Sequence, residues 1–127
     1  MKHKGFILGP LPADQINKAL GLELEPGDVY CSAGVHHKIA TKHQDDYQLF
    51  LQQFPLCLAS PAYVGQPPKH LDKIELVRRF RSAGKVLLLA ITLEKNSHGN
   101  YALASAYTIR EEQVETRKQA KTLVILA

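Results

Sequence analysis

The sequence predicts an α+β fold, with N-terminal helices packed on an antiparallel sheet of about four strands. Its first half carries apolar residues at helical spacing, clearest in Tyr47, Phe50, Leu51 and Phe54. Beyond Pro67-Pro68 the period shortens to that of strands, in runs divided by Gly- and Asn-containing turns. Helices that precede an antiparallel meander segregate into their own layer, which is the α+β arrangement. The 127 residues suffice for one domain over 1–127 whose core needs neither disulfide nor metal.

Ile16, Leu20 and Leu24 share a helical face, so a first helix is expected over 13–22 with Asp14 as its cap. Pro26-Gly27-Asp28 marks a turn, and 29–32 a short strand. A histidine-rich helix over 35–43 follows. Asp45 and Gln48 have the spacing of a capping box for the next helix, which should stop before Pro55. Residues 56–65 are apolar but broken by Pro61, and Gln66-Pro67-Pro68-Lys69 reads as a loop. Three strands are expected at 73–81, 85–94 and 101–110, with turns at 82–84 and 96–100. Residues 86–91 are continuously apolar, as suits a central strand covered on both faces. A helix over 111–119 and an edge strand over 123–126 complete the pattern.

Net charge is +4 with histidines neutral, a balance that suits a polyanionic partner such as RNA. No run approaches the ~20 apolar residues of a membrane helix, and the opening apolar stretch is too short for a signal peptide. The two cysteines, Cys31 and Cys57, have no CxxC spacing and sit in apolar surroundings, which points to reduced thiols and a cytoplasmic protein.

The densest chemistry lies between Val35 and His43, where His36, His37 and His43 stand among Lys38 and Lys42. On a helix, His36 and His43 are seven apart and nearly eclipsed beside Ile39, while Lys38 and Lys42 point to a neighbouring face. Imidazoles beside cations make an acid/base and phosphate-binding surface; the same residues also suit a helix flank that edges the core. The spacing argues against metal. An i,i+7 pair is about 10 Å apart by helical rise, too far to share one ion, and no metal or other cofactor is expected.

Several segments, in order, carry a resemblance. They are Lys38-Ile39-Ala40-Thr41-Lys42-His43, then Ser60-Pro61-Ala62-Tyr63-Val64-Gly65, then Ile74-Glu75-Leu76-Val77-Arg78. An aliphatic strand over 87–91 and Ala104-Ser105-Ala106-Tyr107-Thr108-Ile109 follow. Over about 29–117 the chain resembles the phage-associated branch of the barnase/EndoU/colicin/RelE-like nucleases. Two positions depart from the pattern: Lys38 stands where related sequences often have histidine, and Arg78 where the strand tends to carry lysine.

The resemblance implies a metal-independent endoribonuclease, often a toxin, acting on RNA such as tRNA and leaving a 2′,3′-cyclic phosphate. A toxin would need a cognate antitoxin or immunity protein, with an acidic surface to cover the Lys38–Lys42 face. Cleavage requires a base for the ribose 2′-OH, an acid for the leaving 5′-oxygen and cations for the phosphorane. Histidine suits the first two roles because its ordinary pKa lies near 6.5. His43 is the first candidate and His36 or His37 the second. Lys42, Lys38, Arg78 and Lys73 are the candidate phosphate or RNA contacts. Ser105 and Tyr107, two apart on a strand, share a face and offer hydroxyls to a phosphate oxygen or a base. Glu75 reads as the buried partner of a lysine or arginine. A binding module on the same scaffold, holding RNA or a protein without turnover, is the alternative.

Overall fold

The computed structural model describes residues 3–67, 69–80 and 84–126. The elements run β1 (Phe6–Pro10), α1 (Ala13–Leu20), β2 (Asp28–Cys31), α2 (Ala33–Lys42), α3 (Gln44–Ala59) and β3 (Tyr63–Gly65). They continue with β4 (Lys73–Phe80), β5 (Lys85–Thr92), β6 (Tyr101–Ile109), α4 (Glu111–Gln119) and β7 (Leu123–Ile125). The fold is α+β as expected, but the described residues form seven strands rather than about four, in the order β1-β2-β6-β5-β4-β3-β7. Two of the seven have no counterpart among the five strand segments read from the sequence, and both are short: β1 carries Gly9 and Pro10, and β3 has three residues. The sheet is also not wholly antiparallel, because β2 runs parallel to β6, pairing Val29 with Tyr101 and Tyr30 with Ala102.

The β4–β5–β6 meander forms the centre, with Leu76 opposite Leu89 and Leu89 opposite Ala106. Alternation sends Ile74, Leu76, Leu87, Leu89, Ile91 and Leu103 to one face. There they pack under Ile16 of α1, Ile39 of α2, and Phe50, Cys57 and Leu58 of α3. Burying an Ile39-sized side chain stabilises the fold by about 1.5–3 kcal/mol. The other face holds a smaller cluster of Val77, Val86, Leu88 and Ile109, covered by Val114 of α4 and Leu123 of β7. Strand β5 is therefore apolar on both sides, as its run of residues requires.

Three local expectations need correction. Helix α3 does not stop before Pro55 but runs through it to Ala59. The turn beyond Pro55 carries Cys57 and Leu58 into the core, and that burial offsets the hydrogen bond proline cannot donate. No capping box forms at Asp45, since α3 begins at Gln44 directly after α2 with His43 as the shared cap residue. Asp14 is in the first turn of α1 rather than at its cap, which is Pro12. Gly21 (φ 68°) closes α1 in the left-handed conformation that favours glycine. The turn expected at Ser82-Ala83, the strand end at Arg81 and the loop residue Pro68 lie outside the described residues.

Candidate active site

The far face of the sheet is covered at one end by α4, with Leu123 of the edge strand β7 in the same apolar cluster. At the other end it opens into a cavity of about 240 Å³, lined by Lys38, His70, Lys73, Glu75, Ser105 and Tyr107. Strand register explains its shape. Glu75, Ala90 and Ser105 form one cross-strand row, and Val77, Leu88 and Tyr107 form the next. The methyl group of Ala90 lies between the longer Glu75 and the hydroxyl of Ser105, so the middle of the row is a pit. Lys73 stands two residues before Glu75 on the same face. His70 closes the loop side, where its carbonyl accepts from the Lys73 N–H at 3.0 Å.

Glu75 is buried and paired with a cation, as its place in an apolar strand requires. The cation is Arg117 of α4, with Nε 3.4 Å from the carboxylate. Burial pushes the Tyr107 hydroxyl above its usual range; the Glu75 carboxylate adds to that shift and Arg117 opposes it. Lys38 and Lys73 line the same cavity as Glu75, whose charge Arg117 already balances, and the remaining positive charge suits a phosphodiester.

His43 does not line this cavity but adjoins it through Tyr107, and it borders a separate hollow with Thr41, Lys42 and Asp46. Its ring stacks on that of Tyr107, with centroids 5.6 Å apart and planes at 28°. The α2–α3 junction holds it there, because Asp46 in the first turn of α3 accepts from the Thr108 N–H and hydroxyl. Lys42, one residue earlier, is solvent-exposed.

The remaining expected residues lie elsewhere. His36 donates from Nδ1 to the Lys4 carbonyl at 2.8 Å, since a carbonyl can only accept. In the neutral ring its Nε2 then accepts from the Tyr47 hydroxyl at 2.7 Å. His37 faces His3, with their Nδ1 atoms 3.3 Å apart. Both histidines therefore secure the N-terminal segment against α2 and α3, and the structure does not bring them to the cavity. Arg78 is also displaced. It shares the helix-covered side with Leu76 and Phe80, where Nη1 donates to the Ser60 carbonyl at 2.5 Å and Nε is buried with no partner among the described residues. Strand parity separates it from Lys73 and Glu75.

Sequence reasoning missed His70 and Arg117 as site residues. His70 sits in a loop just before β4, where a side chain can reach back over the strand's first residues. Arg117 had no local signal, because its partner Glu75 is distant in sequence. Among the described residues no group of three metal-ligating side chains converges, and no helix is long and apolar enough to cross a membrane.

Comparison with curated proteins and with solved structures returns no match. The family model described as "phage-Barnase-EndoU-ColicinE5/D-RelE like nuclease3" matches residues 7–116, and the chain belongs to that phage-linked nuclease family.

Proposed function

We propose that the protein is a metal-independent endoribonuclease acting as one domain over 1–127, a phage- or prophage-linked toxin or effector that works in the cytoplasm. The observation that carries the reading is the cavity beneath Lys38, Lys73, Ser105 and Tyr107, where cations, hydroxyls and proton carriers converge. RNA, tRNA included, enters with its scissile phosphate over Ala90. Lys73 and Arg117 place fixed positive charge where the phosphorane develops its own. His43, stacked on Tyr107, and His70 in the cavity wall exchange the two protons, one taking the 2′-OH proton and the other protonating the 5′-oxygen. Ser105 and Tyr107 donate to phosphate oxygens. Lys42 sits beside His43 to hold a neighbouring phosphate, and the same basic rim would receive the acidic surface of an antitoxin or immunity protein.

The test separates turnover from binding. Replacing His43 or His70 with alanine should abolish cleavage while RNA affinity changes less than about threefold. Lys42→Ala should weaken affinity and lower the slope of log K against log salt by about 0.7–0.9, one phosphate contact's share. A wild-type protein that binds RNA with that salt dependence and cleaves none would instead be a binding module.

A further inference from the structure

Strand β6 changes face in its middle. Tyr101 and Leu103 belong to the helix-side core, and strict alternation would carry Ser105 and Tyr107 to the same buried layer. They line the open cavity instead. Pairing with β5 shows why: Leu103 is opposite Ile91 and Ser105 opposite Ala90, which leaves Ala104 with no counterpart. This is a β-bulge, and the inserted residue turns the rest of the strand over. Leu103 and Ala106, three apart, accordingly share the helix-side core.

Packing alone defines the bulge position weakly. Leu103 opposes a shift toward the N-terminus, but Ala104, Ser105 and Ala106 are all small, so moving the extra residue one place toward the C-terminus would change little apolar burial. A side chain supplies the missing definition. Lys38 of α2 donates from Nζ to the Ala104 carbonyl at 2.8 Å, across 66 positions of sequence. An ammonium-to-carbonyl bond is charge-assisted and stronger than a neutral one. It also marks Ala104, rather than either neighbour, as the residue left out of the ladder.

We propose that Lys38 is a positioning residue, whose ammonium locks the bulge at Ala104 and so holds Ser105 and Tyr107 on the cavity face. Its consequence for RNA rests on the nuclease reading, while the claim about the bulge stands without it. Helix α2 thereby sets the geometry of a strand it does not pair with, and its lysine acts on substrate through Ser105 and Tyr107.

Amide hydrogen exchange by NMR tests the lock with no RNA present. In Lys38→Met, which keeps the stem and loses the donors, protection at 103–107 should fall at least tenfold, with new signals for Ser105 and Tyr107. Lys38→Arg should restore most of the protection, and Lys42→Met should leave it unchanged. With RNA, Lys38→Met should lower kcat at least tenfold without altering KM or the salt slope of binding. Unchanged protection at 103–107, or a salt slope reduced by one contact's share, would overturn the proposal and make Lys38 a direct phosphate ligand. Should the methionine variant fail to fold, the wild-type protein answers alone. Its Lys38 ammonium protons should show cross-relaxation to Ala104 and Ser105, and their absence would overturn the lock. If no RNA is cleaved, the nuclease reading fails and the exchange result still decides the role of Lys38.

Discussion

Asp46 and Thr108 are joined by two hydrogen bonds, from the Thr108 N–H at 3.0 Å and from its hydroxyl at 2.9 Å. The pair fastens the first turn of α3 to β6 one residue beyond Tyr107, and so sets where His43 can lie. Lys85 adds a weaker partner at 3.5 Å. Replacing Asp46 with alanine leaves a part-buried N–H unpaired, which costs about 1–3 kcal/mol. Urea unfolding should register that loss, and the His43-to-Tyr107 ring contacts should weaken in NOE spectra. Full stability in the variant would mean that the junction is held by other contacts.

The three histidines of α2 and its cap should behave differently. His36→Ala removes bonds to Lys4 and Tyr47, so it should destabilise the fold by about 1–2 kcal/mol and leave RNA cleavage near the wild-type rate. His37→Ala should do less to stability and as little to cleavage. His43→Ala should be nearly as stable as wild type and inactive. Cleavage assays paired with thermal melts check all three, and an inactive, fully stable His36 variant would count against the placement.

The two arginines expected to differ are Arg78 and Arg117. Arg117→Gln removes the cation beside Glu75, so RNA affinity should drop and its salt slope should fall by about one contact's share. Arg78→Met takes away a guanidinium whose buried Nε has no partner among the described residues. Because that group is engaged with Ser60 on the helix side, the RNA salt slope should not change. Filter-binding titrations at several salt concentrations distinguish the pair.

Ala90 forms the floor of the pit, so Ala90→Leu fills it with side chain. The leucine adds apolar contact to the cluster around Leu88 while occupying the volume a phosphate needs. Cleavage should fall by at least a hundredfold while the melting temperature holds within a few degrees. A leucine variant that cleaves normally would place the chemistry elsewhere.

Burial pushes the Cys57 thiol up to about 12, with Arg78 pulling slightly the other way, and pushes Cys31 up to about 11. Raised values mean that the fold favours the protonated thiols. Their contribution to stability is complete below the unfolded value near 9 and is lost as pH rises from there through 11 and 12. Stability should therefore decline above pH 9. A thiol-specific reagent at pH 8 should label neither cysteine until the protein unfolds. Fast labelling of the native protein would contradict the packing of both.

Much of the fold can be read in residue order, because the apolar period changes where helices give way to strands. The parts that escape are set by distant partners. Nothing near Pro55 announces that Cys57 and Leu58 will be buried deeply enough to carry a helix through it. Strand β3 is three residues long, and it is recognisable only beside β4 and β7, where a side chain on Gly65 would collide with Thr122. The candidate site divides in the same way. The common face of Ser105 and Tyr107 follows from their spacing of two, but which face it is depends on the bulge at Ala104. Parity does place Arg78 with Leu76 and Phe80, away from Lys73 and Glu75, and that signal was present in the strand. The contacts of His36 with Lys4 and Tyr47 have no such local trace.

The most direct measurement incubates the protein with tRNA and total RNA in excess EDTA, beside His43→Ala and Ala90→Leu, and maps every new RNA end. Fragments ending in 2′,3′-cyclic phosphate are expected from the wild type and none from either variant. RNA left intact by a folded wild-type protein, or cleaved equally by the Ala90→Leu variant, would contradict that expectation.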